Sequence, residues 1–117
     1  MSGAVSYHAG LSAEDQVARD YQRRGYPLAA HRWRGKGGEI DLITRDGEGF
    51  VFVEVKKSRN HSRAAERVSL RQIHRLYAAA SEFLAQCPRG LNTLARFDVA
   101  LVDGQGRIEI LENALCA

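Results

Sequence analysis

A chain of 117 residues with 44% hydrophobic and 26% charged residues has the size and composition of one ordinary globular domain, which excludes wholesale disorder and predicts a single core. A net charge of +3, from 17 Lys and Arg against 14 Asp and Glu, excludes an extreme polyion. Two cysteines, Cys87 and Cys116, without Cys-x-x-Cys or Cys/His spacing, argue against a disulfide framework or a zinc site.

Residues 1–10 are small and polar and read as a flexible lead-in, leaving 11–117 as one domain. With no basic stretch followed by an apolar one, and no apolar run near the ~20 residues of a membrane span, a cytoplasmic protein without membrane contact is expected. Ser12 is a good N-cap and Gly25 a good stop, which predicts a helix over 13–24. Its inward stripe is Val17, Ala18 and Tyr21, and Glu14 falls on that buried side by spacing.

An extended segment follows Pro27 as far as Trp33, then the turn Gly35-Lys36-Gly37-Gly38. Residues 39–44 alternate in polarity, 46–49 are turn-formers, and 50–56 are β-branched and aromatic, so a hairpin is expected with its second strand buried on both faces. Ser69 and Gln72 form a capping box for a helix ending near Cys87, ahead of Pro88. Strands over 95–102 and 107–111 complete the order α-β-β-β-α-β-β, an α/β layer architecture.

Chemistry concentrates on the predicted hairpin. Period-2 alternation puts Glu39 and Asp41 on one face of their strand with Ile40 and Leu42 on the other, and gives Glu54 and Lys56 a shared face on the next. Pairing across the turn would gather two acids and a lysine amid Val, Ile and Phe. Two ionised carboxylates about 4 Å apart repel by about 4 kcal/mol at an effective dielectric near 20. A divalent cation relieves that repulsion, and an all-oxygen site suits Mg²⁺ or Mn²⁺. Such an ion polarises a phosphodiester and helps deprotonate a water, with Lys56 beside it. Cross-strand surface ion pairs are the alternative reading.

The residues Gly38-Glu39-Ile40-Asp41-Leu42-Ile43, a short turn, and Val51-Phe52-Val53-Glu54-Val55-Lys56 resemble the signature of the bacterial YraN-like family of predicted endonucleases. Ala13-Glu14-Asp15, Gly25-Tyr26, Trp33-Arg34, Arg96-Phe97-Asp98-Val99 and Glu112-Asn113-Ala114 extend the likeness over nearly the whole chain from Gly10. That family is similar to archaeal Holliday junction resolvases and to restriction-endonuclease-like nucleases, whose hallmark is Asp, a spacer, then (Asp/Glu)-x-Lys. The resemblance implies a central mixed sheet flanked by helices, and metal held by Asp41, Glu54 and the Val55 carbonyl. It also implies that Lys56 serves the attacking water and that Glu14 adds a helix-borne acid. Two positions depart from the pattern: Lys57-Ser58-Arg59 carries an extra residue before its arginine, and Arg71 stands where a lysine is usual.

Basic residues cluster on either side of the acidic motif. Arg19, Arg23, Arg24, Arg32, Arg34 and Lys36 face only Asp20 in sequence, and Lys56, Lys57, Arg59, Arg63, Arg67, Arg71 and Arg75 face only Glu66. Of these, Arg32, Arg34, Lys36, Lys57, Arg59, Arg71 and Arg75 are the expected DNA contacts, with solvated surface charge the alternative. Trp33 reads either as a base-stacking aromatic or as core, and the histidines receive no role. The glycine-rich turn precedes a strand, so no nucleotide cofactor is expected. The sequence thus supports a Mg²⁺- or Mn²⁺-dependent endonuclease acting on branched or single-stranded DNA. The alternatives are an inactive nucleic-acid-binding module of the same fold and a protein-interaction domain. A two-fold homodimer would most simply cut both strands.

Overall fold

Among the described residues five strands and two long helices form in the order read from the sequence. The computed structural model describes residues 12–57 and 69–114. Helix α1 (Ala13–Arg23) begins where Ser12 accepts the Asp15 N–H at 3.0 Å, and it ends before Gly25, whose φ of 94° suits the achiral residue. Strands β1 (Leu28–Arg34), β2 (Glu39–Asp46) and β3 (Gly49–Lys57) follow as an antiparallel meander. Helix α2 (Leu70–Ala85) starts on the Ser69–Gln72 capping box. A short 3₁₀ turn at Gly90–Asn92 leads into β4 (Ala95–Val102), which pairs parallel with β3, and β5 (Ile108–Leu111) closes the edge antiparallel to β4.

The spatial order equals the chain order, β1-β2-β3-β4-β5, in a single mixed sheet. One helix covers each face. Val17, Ala18 and Tyr21 of α1 pack on Leu42, Val51, Val53, Ala100 and Val102. On the other face Leu76, Ala79, Ala80 and Leu84 of α2 cover Ile43, Phe50, Phe52, Val99 and Leu101. With cover on both sides, β3 is buried continuously from Gly49 to Val53 and needs no polar alternation, as the sequence predicts. The ring of Phe83 anchors the α2 layer, meeting Trp33, Phe50 and Phe52 edge-on at 5.0–5.9 Å. Trp33 is therefore a core residue. Among the described residues no helix is long and apolar enough to cross a membrane.

Because β3 and β4 are parallel, α2 returns antiparallel to them and starts near the strand ends that carry Glu54 and Lys56. The turn before β2 lies flush against this helix. A Cβ on Gly37 would come within 2.6 Å of the Ala78 Cβ, and one on Gly38 within 2.9 Å of the Arg75 carbonyl. Glu82 of α2 accepts the Lys36 and Gly37 N–H groups at 3.0 and 3.2 Å, fixing the entry of β2 into the sheet.

Candidate functional site

Asp41 lies where both ladders of β2 are interrupted. On the β1 side His31 pairs with Leu42 and Trp33 with Ile40, while Arg32 and Asp41 between them are skipped. On the β3 side the pairing stops at Leu42 with Val53. The aspartate fills the gap with its own side chain, Oδ2 accepting the Val55 N–H at 2.8 Å. Both polar groups of a strand residue point to the same edge, so the Val55 carbonyl also faces the β2 side. The expected alternation fails here. Leu42 belongs to the α1 layer and Ile40 to the α2 layer, so the two do not share a face and the strand turns over at Asp41.

Glu54 and Lys56 share a face of β3, as alternation requires, with Lys56 Nζ 3.2 Å from Glu54 Oε1. Burial, reinforced by the negative charge of Asp41, pushes the Glu54 carboxyl up to about 7 in spite of the lysine. Burial also raises Asp41, against the Val55 N–H that stabilises its ionised form. A hydrogen bond between the two carboxyl groups raises Glu54 and lowers Asp41. Among the described residues one lysine faces the two acids.

Glu14 sits in the first turn of α1, with its side chain one-fifth exposed at the rim of this pair. His31 Nε2 and Arg32 Nε both lie 2.8 Å from Glu14 Oε1. Burial draws this carboxyl upward, but the hydrogen bonds from Arg32 and His31 outweigh it and hold the group below the usual range. Its charge reaches Asp41, yet its contacts are with β1. Among the described residues no group of three or more His, Cys, Asp or Glu side chains is arranged to hold a metal. The acidic centre is the pair Asp41 and Glu54, with Glu14 beside it. Sequence reasoning missed His31, whose partner is seventeen residues away on another element and leaves no local signal.

The expected DNA contacts divide. Arg32 is bound to Glu14, and Arg34 pairs with Glu39 at 3.1 Å from an exposed position. Lys36 and Lys57 are exposed at either end of the region, and Arg71 and Arg75 are exposed on the first turns of α2. Arg59, Arg63 and Arg67 lie outside the described residues.

Two other features stand apart from the acidic pair. Asp98, fully buried on β4, accepts from Tyr21 Oη at 2.7 Å, from Arg96 Nε at 2.9 Å and from the Asn113 N–H at 3.0 Å. This network ties the segment after β5 to the sheet, where the Ala114 N–H also donates to the Phe97 carbonyl at 2.9 Å. A cavity of about 520 Å³ lined by Arg45, Glu48, Phe50, Phe83, Cys87 and Arg89 contains none of the expected site residues. Phe50 precedes Glu54 by four strand positions, ~13 Å.

Fold and site together define an α/β domain whose central strands hold a half-buried carboxyl pair beside a lysine. The chain belongs to the uncharacterised protein family UPF0102, whose family model matches residues 13–102 and so takes in Glu14, Asp41, Glu54 and Lys56. It is 63% identical over 117 residues to a UPF0102 protein of Cereibacter sphaeroides strain KD131, covering all of both chains. It is similar to a UPF0102 protein of Ruegeria pomeroyi, 61% identical over 96% of this chain and 91% of the relative. A UPF0102 protein of Dinoroseobacter shibae is 48% identical over 95% of this chain and 83% of its own.

Proposed function

We propose that this chain is a metal-dependent endonuclease-like protein that hydrolyses phosphodiester bonds in branched or single-stranded DNA. The observation that carries the reading is the half-buried Asp41–Glu54 pair on adjacent strands, with Lys56 Nζ 3.2 Å from Glu54. A buried carboxyl pair with less than its complement of positive charge is costly to fold around. The donor set fits a hard dication: two carboxylates and the Val55 carbonyl, all oxygen, suit Mg²⁺ or Mn²⁺ with waters in the remaining positions. When bound, such an ion would supply positive charge to an attacking water and to the phosphate oxygens.

The residues themselves divide the work. Asp41 and Glu54 would hold the ion, and the Val55 N–H fixes the orientation of the Asp41 carboxyl. Lys56 orients the water and balances charge at the phosphorus. Exposed Arg71 and Arg75 on α2, with Lys57 at the end of β3, position the strand through its phosphates. The resemblance to the restriction-endonuclease-like nucleases supports the same assignment of Asp41, Glu54 and Lys56. Location in the cytoplasm, where DNA lies in a bacterium, is part of this proposal, as is a two-fold dimer for cutting paired strands.

The test is a cleavage panel of duplex, single-stranded, flap and four-way DNA with Mg²⁺ or Mn²⁺. Nicking of at least one branched or single-stranded substrate is expected, with Asp41→Ala and Lys56→Ala inactive though folded. Undiminished cleavage by either variant would overturn the assignment. One observation favours a second reading, a binding module without turnover: Glu14 is engaged by His31 and Arg32 instead of joining the pair. That reading gives salt-sensitive DNA binding with no cleavage under either metal.

A further inference from the structure

Arg32 has a left-handed backbone, φ +51°, in the middle of β1. A long L-residue seldom adopts that region, and a strained strand position persists only where its surroundings enforce it. The consequence shows in the side chains around it. In a regular strand positions 31 and 33 share a face. Here His31 reaches Glu14 of α1, whereas Trp33 packs on Phe83 of α2. The facing strand does the same at the facing position, since Leu42 belongs to the α1 layer and Ile40 to the α2 layer. Both strands turn over within one step, and that step is the skipped pair Arg32 and Asp41.

We infer that Arg32 is a positioning residue for Asp41: its left-handed backbone, clamped by the Arg32–Glu14 ion pair, turns β1 and β2 over together and leaves Asp41 outside both ladders. Released from backbone pairing, Asp41 takes the Val55 N–H, and its carboxyl group comes to rest against Glu54. The ion pair is short, 2.8 Å, and spans from α1 to β1, so the helix holds the turned-over strand in place. Regular strand geometry at residue 32 would restore the alternation and put Ile40 on the same face as Leu42. Asp41 would then point to the opposite face with its neighbours in register. The inference rests on the proposed metal site only for its consequence; the strand geometry stands without it.

The test compares Arg32→Gly and Arg32→Asn, both of which accept a positive φ, with Arg32→Ala and Arg32→Val, which resist it increasingly. Two readouts are followed: the Val55 amide proton shift by nuclear magnetic resonance, and Mn²⁺ affinity by calorimetry. Glycine and asparagine variants should keep the Val55 shift of the unsubstituted chain and Mn²⁺ affinity within about threefold. The valine variant should lose the downfield Val55 shift and bind Mn²⁺ at least tenfold more weakly, with alanine between. Equal behaviour of all four variants would overturn the inference, because the ion pair alone, or neither feature, would then matter. Should the valine variant fail to fold, the alanine–glycine comparison decides. In the unsubstituted chain, a backbone coupling that puts residue 32 in the extended region refutes it directly. Absence of Mn²⁺ binding by the unsubstituted chain would remove the metal reading while the Val55 amide still decides the role of Arg32.

Discussion

Replacing Glu54 with glutamine separates stability from function at this site. The Glu54 carboxyl rises from an ordinary 4.5 to about 7, first through burial and then through Asp41, with Lys56 opposing and Glu14 adding its charge through Asp41. Between those two values the native state keeps a proton that the unfolded chain has released. Stability therefore falls as pH climbs from about 4.5 to 7 and stays reduced above it. Each tenfold change in proton affinity is worth about 1.4 kcal/mol, so the full deficit is about 3 kcal/mol. Glutamine removes the deficit, which is already net of the attraction between Glu54 and Lys56. Glu54→Gln should thus be about 3 kcal/mol more stable than the unsubstituted chain at pH 8.5, raising Tm by about 12 °C for a domain of this size. At pH 4.5 the gain should vanish. Thermal unfolding followed by circular dichroism at the two pH values measures both differences. A variant equally stabilised at both pH values, or destabilised at pH 8.5, would refute the upward shift of the Glu54 carboxyl.

Asp98→Ala leaves the buried Tyr21 hydroxyl and the partly exposed Arg96 without their shared acceptor, and should cost about 3 kcal/mol in urea unfolding while leaving Mn²⁺ affinity unchanged. Thr44 is fully buried and its Oγ1 has no hydrogen-bond partner among the described residues, so Thr44→Val, which keeps the shape, should stabilise by about 1 kcal/mol in the same assay. Gly38→Ala drives a methyl against the Arg75 carbonyl, backbone that cannot yield cheaply; a loss of about 2 kcal/mol is expected by urea unfolding, accompanied by weaker Mn²⁺ binding as β2 shifts.

Local signals in the sequence carried the elements well. The Ser12 and Ser69 caps, the turn at 46–49 and the apolar run of β3 each state their structure within a few residues, and the strands and helices follow them. The rule that failed was period 2 at Asp41. Alternation is a property of an unbroken strand, and the residue that breaks it is Arg32 on a neighbouring strand, whose left-handed conformation has no signature because the residue is not glycine. The placement of Glu14 was half legible. Helical spacing puts it on the sheet side of α1, but its partners His31 and Arg32 are set by tertiary packing. Asp98 was visible as part of a motif, whereas its four-donor cage draws on α1, β4 and the segment after β5.

The two buried acidic centres of this domain differ in a way that bears on function. Asp98 is met by the hydroxyl of Tyr21, two guanidinium N–H groups and a backbone N–H, so its charge is compensated where it stands. Nothing further has to bind there. Asp41 and Glu54 are burdened instead with each other: among the described residues one backbone N–H and one lysine serve two carboxyl groups, and burial with the neighbouring charge raises the Glu54 carboxyl to about 7. A fold able to build the first arrangement on β4 leaves the second incomplete two strands away on β2, at the cost of a left-handed arginine beside it. Stability alone would remove that pair, since Glu54→Gln is expected to stabilise the protein. On the proposed reading a positively charged species would displace that proton, and two carboxylates with a carbonyl would suit a hard dication better than zinc.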